Sequence, residues 1–129
     1  MHGGLKNNEI SVVEQVAQYL FRQLISAVCH LHDRMNMIHR DIKPDNILFS
    51  GQTAEVKLTD FTVSRSDCSE GVRLFDSEGT ACFTAPECHI VEKNGYLPKP
   101  TDVWSIGVCL YAYVNDGKLP FYGESELEI

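Results

Sequence analysis

Residues 102–114 limit how this chain folds more than any other stretch. Val103, Trp104, Ile106, Val108, Leu110, Tyr111 and Tyr113 leave few polar positions, so a helix here belongs in an interior, covered on all sides. Asn115-Asp116-Gly117 supplies its stop. Residues 11–34 predict a second, amphipathic helix. There Val13, Val16, Ala17, Leu20, Leu24, Ala27, Val28 and Leu31 recur at helical steps, and Ser11 with Glu14 makes a capping-box start. Ile47-Leu48-Phe49 and the alternating Glu55-Val56-Lys57-Leu58-Thr59 flank a Gly51-Gln52 turn, which predicts a small hairpin. Residues 62–79 are polar and aperiodic, and so long a loop is usually functional or disordered. The expected fold class is α+β, mainly helical with one β-hairpin.

Between the first helix and the hairpin lies His39-Arg40-Asp41-Ile42-Lys43-Pro44-Asp45-Asn46. It sets an acid able to accept a hydroxyl proton and an amide able to hold a metal on one tight loop. It fits the protein-kinase catalytic-loop pattern H-R-D-L-x-x-x-N, with Ile for Leu. Asp60-Phe61-Thr62, Gly79-Thr80, Ala85-Pro86-Glu87 and Asp102-Val103-Trp104-Ser105-Ile106-Gly107 follow in the order that family uses. The chain therefore resembles the C-terminal lobe of a eukaryotic protein kinase of the serine/threonine type. Residues 1–129 read as a partial kinase domain, running from just past the hinge to just beyond the large buried helix, with the N-terminal β lobe absent. Residues 79–87 and 102–108, with Gly117-Lys118-Leu119-Pro120-Phe121, look most like calcium/calmodulin-dependent kinases and their upstream kinases.

The resemblance implies roles residue by residue. Asp41 is the catalytic base, which orients the substrate hydroxyl and takes its proton late. Lys43 contacts the transferred phosphate, and Thr80 contacts the base. Asn46 and Asp60 are magnesium ligands, with ATP phosphates and water completing the shell. Leu48 lies beneath the adenine ring. His39 and Phe61 are structural members of a packed column rather than acid–base groups. Glu87 pairs with an arginine, and Asp102 holds the catalytic loop through its backbone amides. Arg40 is regulatory: it meets either phospho-Ser77 or a built-in acid at Asp76 or Glu78.

Two departures matter. Thr62 replaces a glycine, and a β-branched residue resists backbone angles that glycine allows, which biases the turn between its settings. The chain also holds no G-x-G-x-x-G, no V-A-I-K-like strand around Lys6, and no arginine after Glu87. The expectation is a catalytic region that transfers the ATP γ-phosphate to a protein hydroxyl, needs the missing lobe in cis, and is inactive alone. Part of the cover that the apolar helix 102–114 needs is missing too, so the chain alone is expected to be poorly soluble or to self-associate. The alternative is a non-catalytic, kinase-like interaction fragment.

The net charge of −7 argues against partnership with nucleic acid or an anionic membrane surface. Five scattered cysteines without a C-x-x-C read as reduced, mostly buried thiols of a cytoplasmic protein. Cys82, Cys88 and His89 lie near each other, but no paired ligand spacing supports a zinc site.

Overall fold

A computed structural model describes residues 10–125 and 128–129. Residues 1–5, read as the segment past the hinge, and Lys6 lie outside the described residues. The order of elements is α1 (Val12–Cys29), a π-helical turn (His30–Arg34), a 3-10 turn (Pro44–Asn46), β1 (Ile47–Ser50) and β2 (Glu55–Leu58). A 3-10 turn (Ala81–Phe83), α2 (Pro86–His89) and α3 (Pro98–Val114) follow. The α+β class with one hairpin is borne out.

Ser11 caps α1 by accepting the Glu14 amide proton at 3.2 Å, which satisfies one of the helix's free first-turn donors. The helical spacing continues to Arg34, but the last five residues widen into the π-helical turn. β1 and β2 pair antiparallel in the register Ile47↔Leu58 to Ser50↔Glu55. The hairpin is tied to α1 by Gln23, whose side chain donates to the Ala54 carbonyl at 3.0 Å and accepts from the Val56 amide at 3.0 Å.

Among the described residues, two clusters form the core. Leu24 and Val28 of α1 meet Ile42 of the loop and Ile106 and Cys109 of α3, with Phe21, Ile47, Val56, Leu58 and Phe83 packed around them. Each fully buried aliphatic side chain here contributes about 1.5–3 kcal/mol. The second cluster gathers Ile38, Cys68, Leu74, Ala85, Cys88 and Tyr96. It explains why residues 62–79 are ordered despite their polar composition. Cys68 and Leu74 are buried anchors, and two isolated bridges, Ile38↔Arg65 and Leu74↔Tyr96, fix the segment by its backbone.

The expected helix over 102–114 begins earlier, at Pro98. Proline fits the first turn of a helix, where its missing N–H has no partner to lose. The cover of this helix is partial, in line with the expectation that part of it is missing. Ile106, Val108, Cys109 and Ala112 are buried, but Val103, Leu110, Tyr111 and Val114 are exposed. α1 packs against one side of α3, and Trp104 turns outward to stack on Phe121 with ring centroids 5.7 Å apart. An apolar face of this kind promotes association. The isolated chain is expected to gain mass with concentration in sedimentation equilibrium, and Leu110→Lys with Val114→Lys to reduce that gain. A sharp, reversible, monomeric thermal transition of the unmodified chain would sink this expectation. Among the described residues, no helix is long and apolar enough to cross a membrane.

Candidate functional site

The site is built on the segment that leads from the π-helical turn into β1. Two hydrophobic residues pin it to the core: Ile38 and Ile42 are both fully buried. Between them, Arg40 adopts a left-handed backbone with φ 71°. That conformation costs a non-glycine residue about 1–2 kcal/mol. Asp102 at the start of α3 holds it in place. One carboxylate oxygen accepts the His39 amide at 2.9 Å and His32 Nε2 at 2.8 Å, and the other accepts the Arg40 amide at 3.0 Å. Asp102 is 1% exposed. A carboxylate buried this deeply is tolerable only because each oxygen is hydrogen-bonded.

His39 is also buried, with both ring nitrogens engaged. Nδ1 accepts the Asp41 amide at 3.1 Å and Nε2 donates to the Thr59 carbonyl at 2.8 Å. Its ring meets Phe61 edge-on at 5.0 Å. These contacts orient Asp41, two residues on, and leave no ring nitrogen for proton transfer.

Asp41, Lys43, Asn46 and Thr80 converge. Thr80 donates its hydroxyl to Asp41 Oδ1 at 2.9 Å, and Lys43 Nζ donates to Thr80 Oγ1 at 2.9 Å. Lys43 Nζ also lies 3.9 Å from Asp41 Oδ2. Asn46 Nδ2 donates to the Asp41 backbone carbonyl at 2.8 Å and to Oδ2 at 3.3 Å. With its amide nitrogen so used, the Asn46 side chain offers its oxygen to a ligand. Gly79 brings Thr80 here. Its φ is 106°, and a Cβ at that position would collide with the Arg40 carbonyl oxygen. Only glycine permits this approach of the two backbones.

Asp60 is exposed, two residues beyond the end of β2, with φ 60°. The left-handed residue of this turn is therefore Asp60, and Thr62 is not among the left-handed positions. This relocates the strain expected from the missing glycine. Hydrogen bonds from the Thr62 hydroxyl and amide hold the Asp60 carboxyl below its usual range. Asn46 and Asp60 offer hard oxygen donors, the chemistry magnesium takes when phosphate oxygens and water complete its shell. Among the described residues, no group of three or more His, Cys, Asp or Glu side chains is placed to hold a metal by itself. Cys82, Cys88 and His89 therefore gather no such set, and His89 Nε2 bonds to the Ala81 carbonyl instead. Burial pushes the Cys88 thiol up to about 11 and Cys109 up to about 12, so neither is a ready nucleophile.

Arg40 faces two ways. Its amide meets Asp102, while its Nε donates to the Val63 carbonyl at 2.7 Å and Nη1 to Asp76 at 3.0 Å. Arg65 approaches the other Asp76 oxygen at 3.5 Å. The Tyr96 hydroxyl donates to the Asp76 carbonyl oxygen. Burial alone would lower the Arg40 pKa, and the contacts with Asp76 and Tyr96 together more than offset it, so the net shift is upward. Ser77 and Glu78 are exposed, as are Leu48 on β1 and Glu87 in α2. His32 and Tyr96 carried no signal in the sequence: each acts through a partner far along the chain.

Comparison with known proteins adds a common pattern. The family described as protein kinase domain matches residues 2–129. The chain is 39% identical over 118 residues to the probable serine/threonine-protein kinase MARK-C of Dictyostelium discoideum, covering 92% of this chain and 14% of that protein. It is 38% identical to a death-associated protein kinase related protein of Drosophila melanogaster, covering 95% of this chain and 18% of that one. CBL-interacting protein kinase 15 of Oryza sativa subsp. japonica is 39% identical, over 92% of this chain and 26% of that protein. The chain thus spans about a quarter or less of the length of these relatives.

Proposed function

We propose a function from the premise that this chain belongs to the protein kinase family. It is a serine/threonine kinase catalytic region, nearest the calcium/calmodulin-dependent group, that transfers the γ-phosphate of ATP to a protein hydroxyl. One observation carries the reading: the chain of contacts Lys43–Thr80–Asp41–Asn46 gathers an acid, a cation and a metal-competent amide on one face.

Asp41 orients the substrate hydroxyl and receives its proton late, with Thr80 and Asn46 fixing its two carboxylate oxygens. Lys43, anchored on Thr80, stands beside Asp41 as a point charge for the phosphoryl oxygens. Asn46 and Asp60 hold magnesium, which when bound neutralises the negative charge on the phosphates. Leu48 supplies an apolar seat for adenine. His39, Phe61, Glu87 and Asp102 serve structure. Residues 1–129 act as the C-terminal part of the domain and work with an N-terminal lobe in cis, so the isolated chain gives no measurable transfer. We place the protein in the cytoplasm.

Asp76 is the built-in partner of Arg40. The hydrogen bond from Arg40, opposed by partial burial, depresses the Asp76 carboxyl. An acid depressed on folding contributes stability above its unfolded pKa and loses it as pH falls through the folded value. The pair is therefore intact at neutral pH and breaks only in acid below the ordinary carboxylate range. Asp76 is 48% exposed in this pair, so the pair is worth at most about 1 kcal/mol. Ser77→Ala is expected to leave transfer unchanged, and Asp76→Asn to lower it by up to about fivefold, with the loss shrinking at high salt. A large loss in Ser77→Ala with none in Asp76→Asn would assign the role to phosphoserine.

The reading is tested with the full-length protein, magnesium-ATP and a serine- or threonine-containing peptide. Transfer that depends on Asp41 supports it. No transfer, or transfer indifferent to Asp41, favours the non-catalytic interaction module.

A further inference from the structure

Thr62 stands next to a proposed metal ligand at a position where the sequence pattern of the family has glycine. Its side chain is neither buried nor idle. The hydroxyl donates to Asp60 Oδ1 and the Thr62 amide donates to the same oxygen at 3.2 Å. Both donors fall on one carboxylate oxygen, and Asp60 Oδ2 keeps its lone pairs. A glycine in this place would supply the amide alone. Asp60 is exposed, so no wall of packed side chains restricts its rotation. Among the described residues, the two bonds from Thr62 are the hydrogen bonds that fix it.

We propose that Thr62 is a positioning residue for magnesium: its hydroxyl locks Asp60 into presenting a single oxygen, Oδ2, to the metal. The proposal rests on the reading of Asp60 as a magnesium ligand. Its physical basis is that a carboxylate left free to turn must surrender that freedom when it binds, whereas one held by a neighbouring donor has already done so. The left-handed backbone of Asp60 aims the carboxylate, and the hydroxyl sets its rotation about the side-chain bonds.

The test uses the full-length protein with four versions of these two positions: unmodified, Thr62→Val, Thr62→Ser and Asp60→Asn. Valine keeps the branched shape and removes the hydroxyl; serine keeps the hydroxyl and removes the methyl group. The half-saturating concentration of Mn2+ in the presence of ATP and absence of protein substrate is read by water-proton relaxation. The half-saturating Mg2+ for transfer and the rate at saturating Mg2+ are read separately. Thr62→Val is expected to raise both half-saturation values about tenfold. Its rate at saturating metal should be largely preserved, and Thr62→Ser should match the unmodified protein. Unchanged metal binding in Thr62→Val, or an equal loss in Thr62→Ser, overturns the proposal while leaving the role of Asp60 standing. Unchanged metal binding in Asp60→Asn removes the premise and the proposal together.

Discussion

Asp41→Asn is expected to lower phosphoryl transfer by the full-length protein about 10²–10⁴-fold, the range that a positioned proton acceptor is worth. The structure makes this a clean substitution. Asp41 is partly buried, and its carboxylate receives the Thr80 hydroxyl at 2.9 Å and the Asn46 amide at 3.3 Å. An asparagine fills the same space, but its NH2 group cannot accept a proton from the substrate and faces a donor wherever it points. The Asp41 amide and carbonyl bonds to His39 and Asn46 come from the backbone and survive the change. The fold should therefore hold while turnover falls. The measurement is the rate under saturating magnesium-ATP, with circular dichroism and melting temperature as the control. A variant that melts normally and retains more than about a tenth of the rate would falsify the assignment of Asp41 as base.

Asp102→Ala is expected to destabilise the protein by about 3–5 kcal/mol, the cost of stripping one member from a buried polar group of this kind. Three donors lose their acceptor at once: the amides of His39 and Arg40 and the ring of His32. His32 and His39 are themselves buried, so water does not readily replace the lost oxygens. The left-handed backbone of Arg40 also loses its restraint, and the catalytic loop should relax away from it. The expected result is a lower urea midpoint and the loss of transfer even where the chain remains folded. Asp102→Asn should recover part of the stability, because one oxygen still accepts. A loss below about 1 kcal/mol in Asp102→Ala would show that the loop is held by other means.

The fold was legible where the sequence repeats with a period. The face of α1, the hairpin and the apolar content of α3 all follow from spacing and composition. The stop at Gly117, whose amide reaches back to the Ala112 carbonyl at 2.8 Å, was legible for the same reason. The ordering of residues 62–79 was not, because it depends on a few scattered apolar residues, chiefly the buried Cys68 and Leu74, that show no period. That α3 is incompletely covered was legible, but which of its faces stays bare was not, since hydrophobic content tells how much surface seeks cover and says nothing of where cover is found. At the site, the motif residues stood out in the chain by their order alone. His32 did not, because its partner Asp102 is separated from it by 70 positions. Tyr96 did not, because its role lies in a hydroxyl that touches a backbone carbonyl.

The grip of Asp102 on the loop has a consequence in time as well as in energy. His39 and Arg40 lie 63 and 62 positions upstream of the carboxylate that fixes them. During synthesis, the octapeptide emerges long before α3 exists to receive it. Contacts so distant in sequence close slowly, since the intervening chain must first give up its freedom. The loop is therefore expected to reach its final shape only after α3 has formed. A nascent chain stopped short of Asp102 carries every residue of the motif but lacks the carboxylate that holds the His39 and Arg40 amides.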